Sequence, residues 1–216
     1  DAVTNGVARC MRNSGQSCNA PTRMLVERSR YAEALEQAAA AATATKVGPA
    51  SEEGNHIGPV VSQMQFDKIQ TLIEVGIKED GATVIAGGLG RPEGLNRGFY
   101  VRPTIFADVD NTARINREEI FGPVMTIMPF DTEEEAIAIA NDTPYGLTNY
   151  IQCGDQEQRQ RVARQLRSGM VETNSVGFGM GSPFGGYKQS GNGREGGIFG
   201  LHEFMEIKAV SCWEDA

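Results

Sequence analysis

The chain has 216 residues, 40% hydrophobic and 22% charged, with a formal net charge of −8. That is enough length to bury a large core, and an acidic chain without a basic stripe argues against nucleic acid as a partner, because phosphate neutralisation needs clustered Lys and Arg. No apolar run approaches the ~20 residues that span a bilayer, so no membrane partner is expected. In chain order, residues 2–12 read as a helix, with Val3, Val7 and Cys10 at helical spacing. A turn-rich stretch, Asn13 to Pro21, precedes a short apolar run, Met24-Leu25-Val26, that suits a buried strand. Residues 31–45 are Ala-rich and helical by propensity, ended by Gly48-Pro49. Ser62 is placed to cap a helix over 63–79 that puts Phe66, Ile69, Leu72 and Ile73 on one face. Thr83–Ala86, Thr104–Phe106 and Val124–Ile127 are strand candidates. Thr132 with Glu135 spells a capping box for a helix over 133–141, so Glu133-Glu134-Glu135 reads as a helix start, not a metal site. Leu147–Gln152 reads as a strand, 155–167 as a helix and Met170–Thr173 as a strand.

The alternation of strand and helix predicts an α/β fold: an open, largely parallel twisted sheet with helices on both faces. Phe204–Trp213 is β-prone, lies beyond a Gly-rich loop, and suits pairing with another chain's sheet edge. The four cysteines, Cys10, Cys18, Cys153 and Cys212, form no C-x-x-C pair. Zinc and disulfides are therefore not expected, and a reducing, cytoplasmic setting fits. Arg159, Arg161, Arg164 and Arg167 fall in one stretch behind Asp155 and Glu157, which reads as a solvated helix face. No signal segment opens the chain, which starts at Asp1 as though cut from something longer.

Asn13-Ser14-Gly15-Gln16-Ser17-Cys18 carries the strongest chemical signal. A cysteine after a Gly-containing turn can sit in an exposed bend among backbone N–H groups, which lower a thiol pKa and receive an oxyanion. A lone cysteine is more often a buried, inert thiol. The two histidines, His56 and His202, sit in no recognisable motif, so a Cys–His hydrolase pair has little support. Gly191-Asn192-Gly193-Arg194-Glu195-Gly196 spells G-x-G-x-x-G, but no strand reads before it, so it is not taken as a dinucleotide fingerprint.

Gly15-Gln16-Ser17-Cys18, with Ala20 and Arg23 behind it, resembles the nucleophile motif of the NAD(P)-dependent aldehyde dehydrogenase superfamily. Glu119-Ile120-Phe121-Gly122-Pro123-Val124, Asn141 to Leu147, and Pro183 to Gly191 with Gly193-Arg194-Glu195 resemble further family segments in the same order. The resemblance covers essentially the whole chain. It implies that Cys18 adds to an aldehyde to give a thiohemiacetal and then a thioester, released by water or, in some members, by coenzyme A. It implies that Glu119 binds the nicotinamide ribose of NAD or NADP, that Phe121 packs by the nicotinamide, and that Gln65 and Lys68 lie on a helix near the cofactor. Ser17, Phe178 and Phe184 are expected to line the substrate tunnel, accepting an apolar or aromatic tail. The implied layout is a catalytic domain over 1–203 and an oligomerisation strand over 204–216 of a homo-oligomer. The family's general-base glutamate, oxyanion asparagine and Rossmann domain precede the cysteine, and residues 1–17 hold no Glu and no room for that domain. The chain by itself is therefore expected to bind NAD poorly and not to turn over. A non-catalytic oligomerisation module is the alternative, but it would not need Gln16, Ser17, Cys18, Glu119 and Phe121 together.

Overall fold

A computed structural model describes residues 1–212. Its elements are α1 (Ala2–Met11), β1 (Arg23–Glu27), α2 (Tyr31–Ala44), α3 (Gln63–Lys78), β2 (Thr83–Ala86), β3 (Thr104–Ala107), α4 (Arg114–Arg117), β4 (Val124–Phe130), α5 (Glu133–Asn141), β5 (Thr148–Ile151), α6 (Gln156–Gln165), β6 (Met170–Thr173) and α7 (Gly197–His202). The expected helices and strands as far as Met170–Thr173 form within a few residues of their predicted ends. The short α4 and α7 carry too little periodicity to be read from sequence.

The main sheet runs β1-β4-β3-β2, with β1, β4 and β3 parallel and β2 antiparallel at the edge. Its central strands are buried on both faces, which is why they read as continuous apolar runs and not as alternating ones. Phe106, Val124 and Met128 face α3, where they pack with Phe66, Ile69, Leu72 and Ile73. Ile105, Met125 and Ile127 point the other way, onto Val7, Cys10 and Met11 of α1 and Ala38 and Ala42 of α2. The alternation of side chains along a strand thus builds two cores from two short segments. Burying each large aliphatic side chain contributes about 1.5–3 kcal/mol. The buried Thr126 breaks the apolar pattern without cost, because its hydroxyl donates to Asn116 Oδ1 at 2.7 Å.

β5 and β6 pair in parallel as a separate two-stranded sheet. The expected parallel sheet is therefore present in two hydrogen-bonded pieces among the described residues. Strand identity is a local property, but strand neighbours are not.

Ser62 caps α3 by accepting from Gln65 N–H at 3.2 Å, as expected. Thr132 caps α5 by accepting from Glu135 N–H, while the Glu135 carboxylate accepts from Asp131 N–H at 2.6 Å instead of closing the box on Thr132. Glu133 leaves the first turn of α5 to meet α6, where Arg161 donates to both its oxygens at 2.7 Å and Gln158 to one at 3.0 Å. These donors hold the Glu133 carboxyl down at about 2, against an ordinary 4.5. A carboxyl lowered on folding adds stability above its unfolded pKa and loses it as pH falls through the folded value. The α5–α6 contact is thus expected to weaken between about pH 4.5 and about pH 2. Acid unfolding followed by circular dichroism checks this: Glu133→Gln flattens that part of the profile, and an unchanged profile refutes it.

Among the described residues, no helix is long and apolar enough to cross a membrane. Residues 204–212 form no strand; Phe204 is 92% exposed and Ile207 96%. The remainder of the expected terminal strand, from Trp213 on, lies outside the described residues.

Candidate active site

The loop between α1 and β1 is made by three consecutive residues in the left-handed region: Asn13 (φ 51°), Ser14 (φ 57°) and Gly15 (φ 71°). Asn13 tolerates this with local hydrogen bonds, and Ser14 with a bond to a distant loop. Asn13 Nδ2 donates to Gln16 O at 2.8 Å, Gln16 Nε2 returns a bond to Asn13 O at 3.0 Å, and Ser14 Oγ donates to Gly58 O at 2.6 Å. Gln16 Oε1 accepts from Val61 N–H at 2.8 Å. Gly15 has a further reason to lack a side chain: a β-carbon there would lie 1.9 Å from the carbonyl oxygen of Gly122. The loop carrying Cys18 and the loop carrying Glu119 and Phe121 are therefore pressed backbone to backbone.

Beyond Gly15 the chain makes a tight turn, with Ala20 N–H donating to Ser17 O at 3.0 Å and Ser17 Oγ to Asn19 Oδ1 at 2.7 Å. Cys18 sits in that turn and is exposed, whereas Cys10, the penultimate residue of α1, is fully buried. Burial pushes the Cys10 thiol up to about 12, so it is no nucleophile near neutral pH. Cys153 is half-buried and its Sγ lies 3.0 Å from Gln158 Oε1.

Phe121 has φ 56°, an uncommon conformation for a bulky residue that the surroundings must hold. Gln65 and Lys68 do that holding. Gln65 Nε2 donates to Ile120 O at 3.0 Å and to Phe121 O at 2.9 Å, and Lys68 Nζ to Glu119 O at 2.7 Å. The same carbonyls leave the Glu119 side chain exposed and without a hydrogen-bond partner among the described residues.

One cavity of about 940 Å³ brings Ser17, Cys18, Glu119 and Phe121 together. It also runs between β1 and β5, the two separate sheets. Gln65 and Lys68 do not line it; they brace its wall from behind. Phe178 is 46% exposed on the loop after β6 and lies outside the lining. Phe184 exchanges backbone hydrogen bonds of 2.7 Å with Glu195 and lines a smaller cavity of about 380 Å³ with Arg194 and Phe204. His56 bonds Pro49 O at 2.9 Å and His202 ends α7; neither lines the Cys18 cavity. The 191–196 glycine segment does precede a helix, α7, but a single helical turn at Lys188–Ser190 stands where a strand is required. Among the described residues no group of three or more His, Cys, Asp and Glu side chains is placed to hold a metal ion.

Sequence reasoning gave no role to Arg9, Tyr150 and Glu172, which the fold gathers beside the Cys18 turn. Arg9 and Glu172 form a bidentate ion pair across 163 residues of sequence, and the Arg9 guanidinium lies 4.5 Å from the centre of the Tyr150 ring. The local signal was weak: a single charged residue in each of α1 and β6.

The chain matches the aldehyde dehydrogenase family over residues 1–210. It is 50% identical over 213 residues to the 3-succinoylsemialdehyde-pyridine dehydrogenase of a Pseudomonas species, covering 99% of this chain and 44% of that protein. The solved aldehyde dehydrogenase of Bartonella henselae superposes with a TM-score of 0.96 at 58% identity, covering 99% of this chain and 44% of the other. A cysteine-to-alanine variant of aldehyde dehydrogenase C from Pseudomonas syringae, complexed with NAD+ and octanal, superposes with a TM-score of 0.94 at 48% identity, over 97% of this chain and 43% of that one. The chain thus spans less than half the length of these relatives.

Proposed function

The chain belongs to the aldehyde dehydrogenase family, and we propose that it forms the catalytic domain of an NAD(P)-dependent aldehyde dehydrogenase whose nucleophile is Cys18. One observation carries this reading: an exposed thiol shares a cavity with Glu119 and Phe121, on a loop that Gly15 locks against theirs. The site fits the nicotinamide end of the cofactor. Its volume lies in the range of small-molecule sites, and the unpaired Glu119 carboxylate has two oxygens for two neighbouring hydroxyls. Phe121 offers an aromatic surface on the same wall. Gln65 and Lys68 act on the cofactor indirectly, by fixing the backbone that carries both residues.

The Cys18 thiolate adds to the aldehyde carbon. A carbon–sulfur bond forms and the carbonyl electrons move to oxygen, which accepts from the Cys18 backbone N–H. When bound, NAD(P)+ supplies the acceptor for the hydride that leaves the same carbon, and Cys18 then carries a thioester. Water releases a carboxylic acid; release to coenzyme A is the alternative. Ser17 borders the aldehyde, and Phe178, on its exposed loop, is assigned the outer part of an apolar tail. Phe184, in its separate cavity, is assigned packing against the terminal segment. Residues 204–212 are assigned to pairing with another copy of the chain, which would cover Phe204 and Ile207.

Timed iodoacetamide labelling with peptide mapping near neutral pH tests the nucleophile. Cys18 is expected to label first, ahead of Cys212, which is also exposed, with Cys10 last. Equal rates at Cys18 and Cys212 would count against an activated thiol and favour a non-catalytic module. Aldehyde-dependent reduction of NAD+ or NADP+ by the full-length gene product tests the reaction, and its absence with a broad aldehyde panel sinks it. Removal of residues 204–216 is expected to reduce the assembly size by sedimentation while leaving Cys18 labelling unchanged.

A further inference from the structure

Among the described residues one side-chain hydrogen bond ties the Cys18 turn to the second sheet. Tyr150, on β5, donates its hydroxyl to the Asn19 carbonyl oxygen at 2.6 Å. Asn19 follows the cysteine and also accepts from Ser17 Oγ, so this carbonyl belongs to the turn that displays the sulfur. Tyr150 is itself fixed from two sides. Its register partner on β6 is Glu172, and the Arg9 guanidinium that covers its ring is held by both oxygens of Glu172. Glu172 is 5% exposed, so its charge is kept in the interior by Arg9 alone among the described residues. A buried carboxylate and a planar guanidinium stacked on an aromatic ring form a stiff unit, because removing any member leaves a buried charge or an open ring face.

Resting on the assignment of Cys18 as nucleophile, we propose that Arg9, Glu172 and Tyr150 form a positioning network that sets the Cys18 turn through the Asn19 carbonyl. Arg9 comes from α1, immediately before the loop; Tyr150 and Glu172 come from the separate β5–β6 sheet. The network therefore fixes the nucleophile loop relative to the part of the site that lies across the cavity. Burial pushes the Tyr150 phenol up, Arg9 pulls it down, and the nearby Glu172 and Cys18 charges add to the rise, so the hydroxyl stays a donor across the working pH range. The charged groups lining this cavity with Cys18 are Arg9 of α1, Arg23 and Glu27 of β1, Arg30 beside α2, Glu118 and Glu119 of the opposing loop, Asp131 and Glu133 at the start of α5, and Arg167. Releasing the Asn19 carbonyl lets its peptide rotate. The turn that displays the sulfur is then no longer held in one geometry, and a thiolate that depends on the turn's backbone N–H groups is disfavoured.

The test is the pH dependence of Cys18 alkylation by iodoacetamide in this chain, read by peptide mapping. Tyr150→Phe keeps the ring under Arg9 and removes only the hydroxyl. Its alkylation midpoint is expected to rise by about half a unit or more, with the rate at neutral pH falling about threefold or more. Arg9→Lys keeps a cation beside Glu172 but loses the planar fork, and is expected to shift the midpoint the same way by less. The Cys212 midpoint serves as an internal control and stays put. An unchanged Cys18 midpoint in Tyr150→Phe overturns the network; if that variant does not fold, an unchanged midpoint in Arg9→Lys does so. Failure of the parent assignment looks different: the unsubstituted chain then shows no preference for Cys18 over Cys212.

Discussion

Replacing Cys18 by serine or alanine is expected to lower aldehyde oxidation by the full-length gene product at least about 10³-fold while leaving the fold intact. A nucleophile that forms the covalent intermediate has no substitute within reach, and losses of that order or larger are typical of such residues. Cys10 is buried with its thiol raised to about 12, Cys153 lines the same cavity but its thiol is engaged with Gln158, and Cys212 lines neither cavity. Because Cys18 is exposed, its replacement removes no core packing, and the melting temperature is expected to stay within about 2 °C. Steady-state rates with and without the substitution, beside a thermal melt, check both halves. Retention of more than about a tenth of the rate would exclude Cys18 as the attacking group.

The second large effect belongs to Gly15→Ala. The left-handed φ of 71° costs a residue with a β-carbon about 1–2 kcal/mol. The added atom would also stand 1.9 Å from the Gly122 carbonyl oxygen, a backbone atom that cannot turn aside like a side chain. Overpacking of this kind costs about 1–3 kcal/mol more. The melting temperature is thus expected to fall by roughly 5–15 °C. The two loops must separate, and a shift of about 1 Å between Cys18 and the Glu119–Phe121 wall is expected to cost about 10²-fold in rate. Gly81→Ala separates backbone strain from the clash. Gly81 has a similar φ of 65°, but a β-carbon there meets nothing within 4 Å. It is expected to lower stability by the strain alone and to leave the rate unchanged. Equal effects of the two substitutions on the rate would show that the Gly15–Gly122 contact does not set the site.

Local structure was legible because it is written in local terms. The Ser62 and Thr132 caps, the helical apolar spacing of α3, and the short β-branched and aromatic runs of β3 and β4 each act over a few residues. The Cys18 turn and the Glu119–Phe121 segment were also legible, as ordered motifs on an α/β pattern. Gln65 and Lys68 show where this stops. Sequence placed them near the cofactor, but folding spends their donors on carbonyls more than fifty residues away, so they shape the wall instead of lining it. Phe184 is a similar case: its aromatic character was plain, but its backbone pairing with Glu195 decides which cavity it faces.

The order of residues by itself determined which segments are helix or strand, which thiol follows a turn, and which family the motifs resemble. Only the tertiary structure decided that the strands fall into two sheets, that Gly15 meets Gly122, and that Arg9 finds Glu172 across 163 residues. The physical reason is that caps and periodicity are energies of neighbours in sequence. Sheet partnership, ion pairing and close backbone approach are energies of neighbours in space, which exist only once the cores around Phe106 and Ile127 have formed.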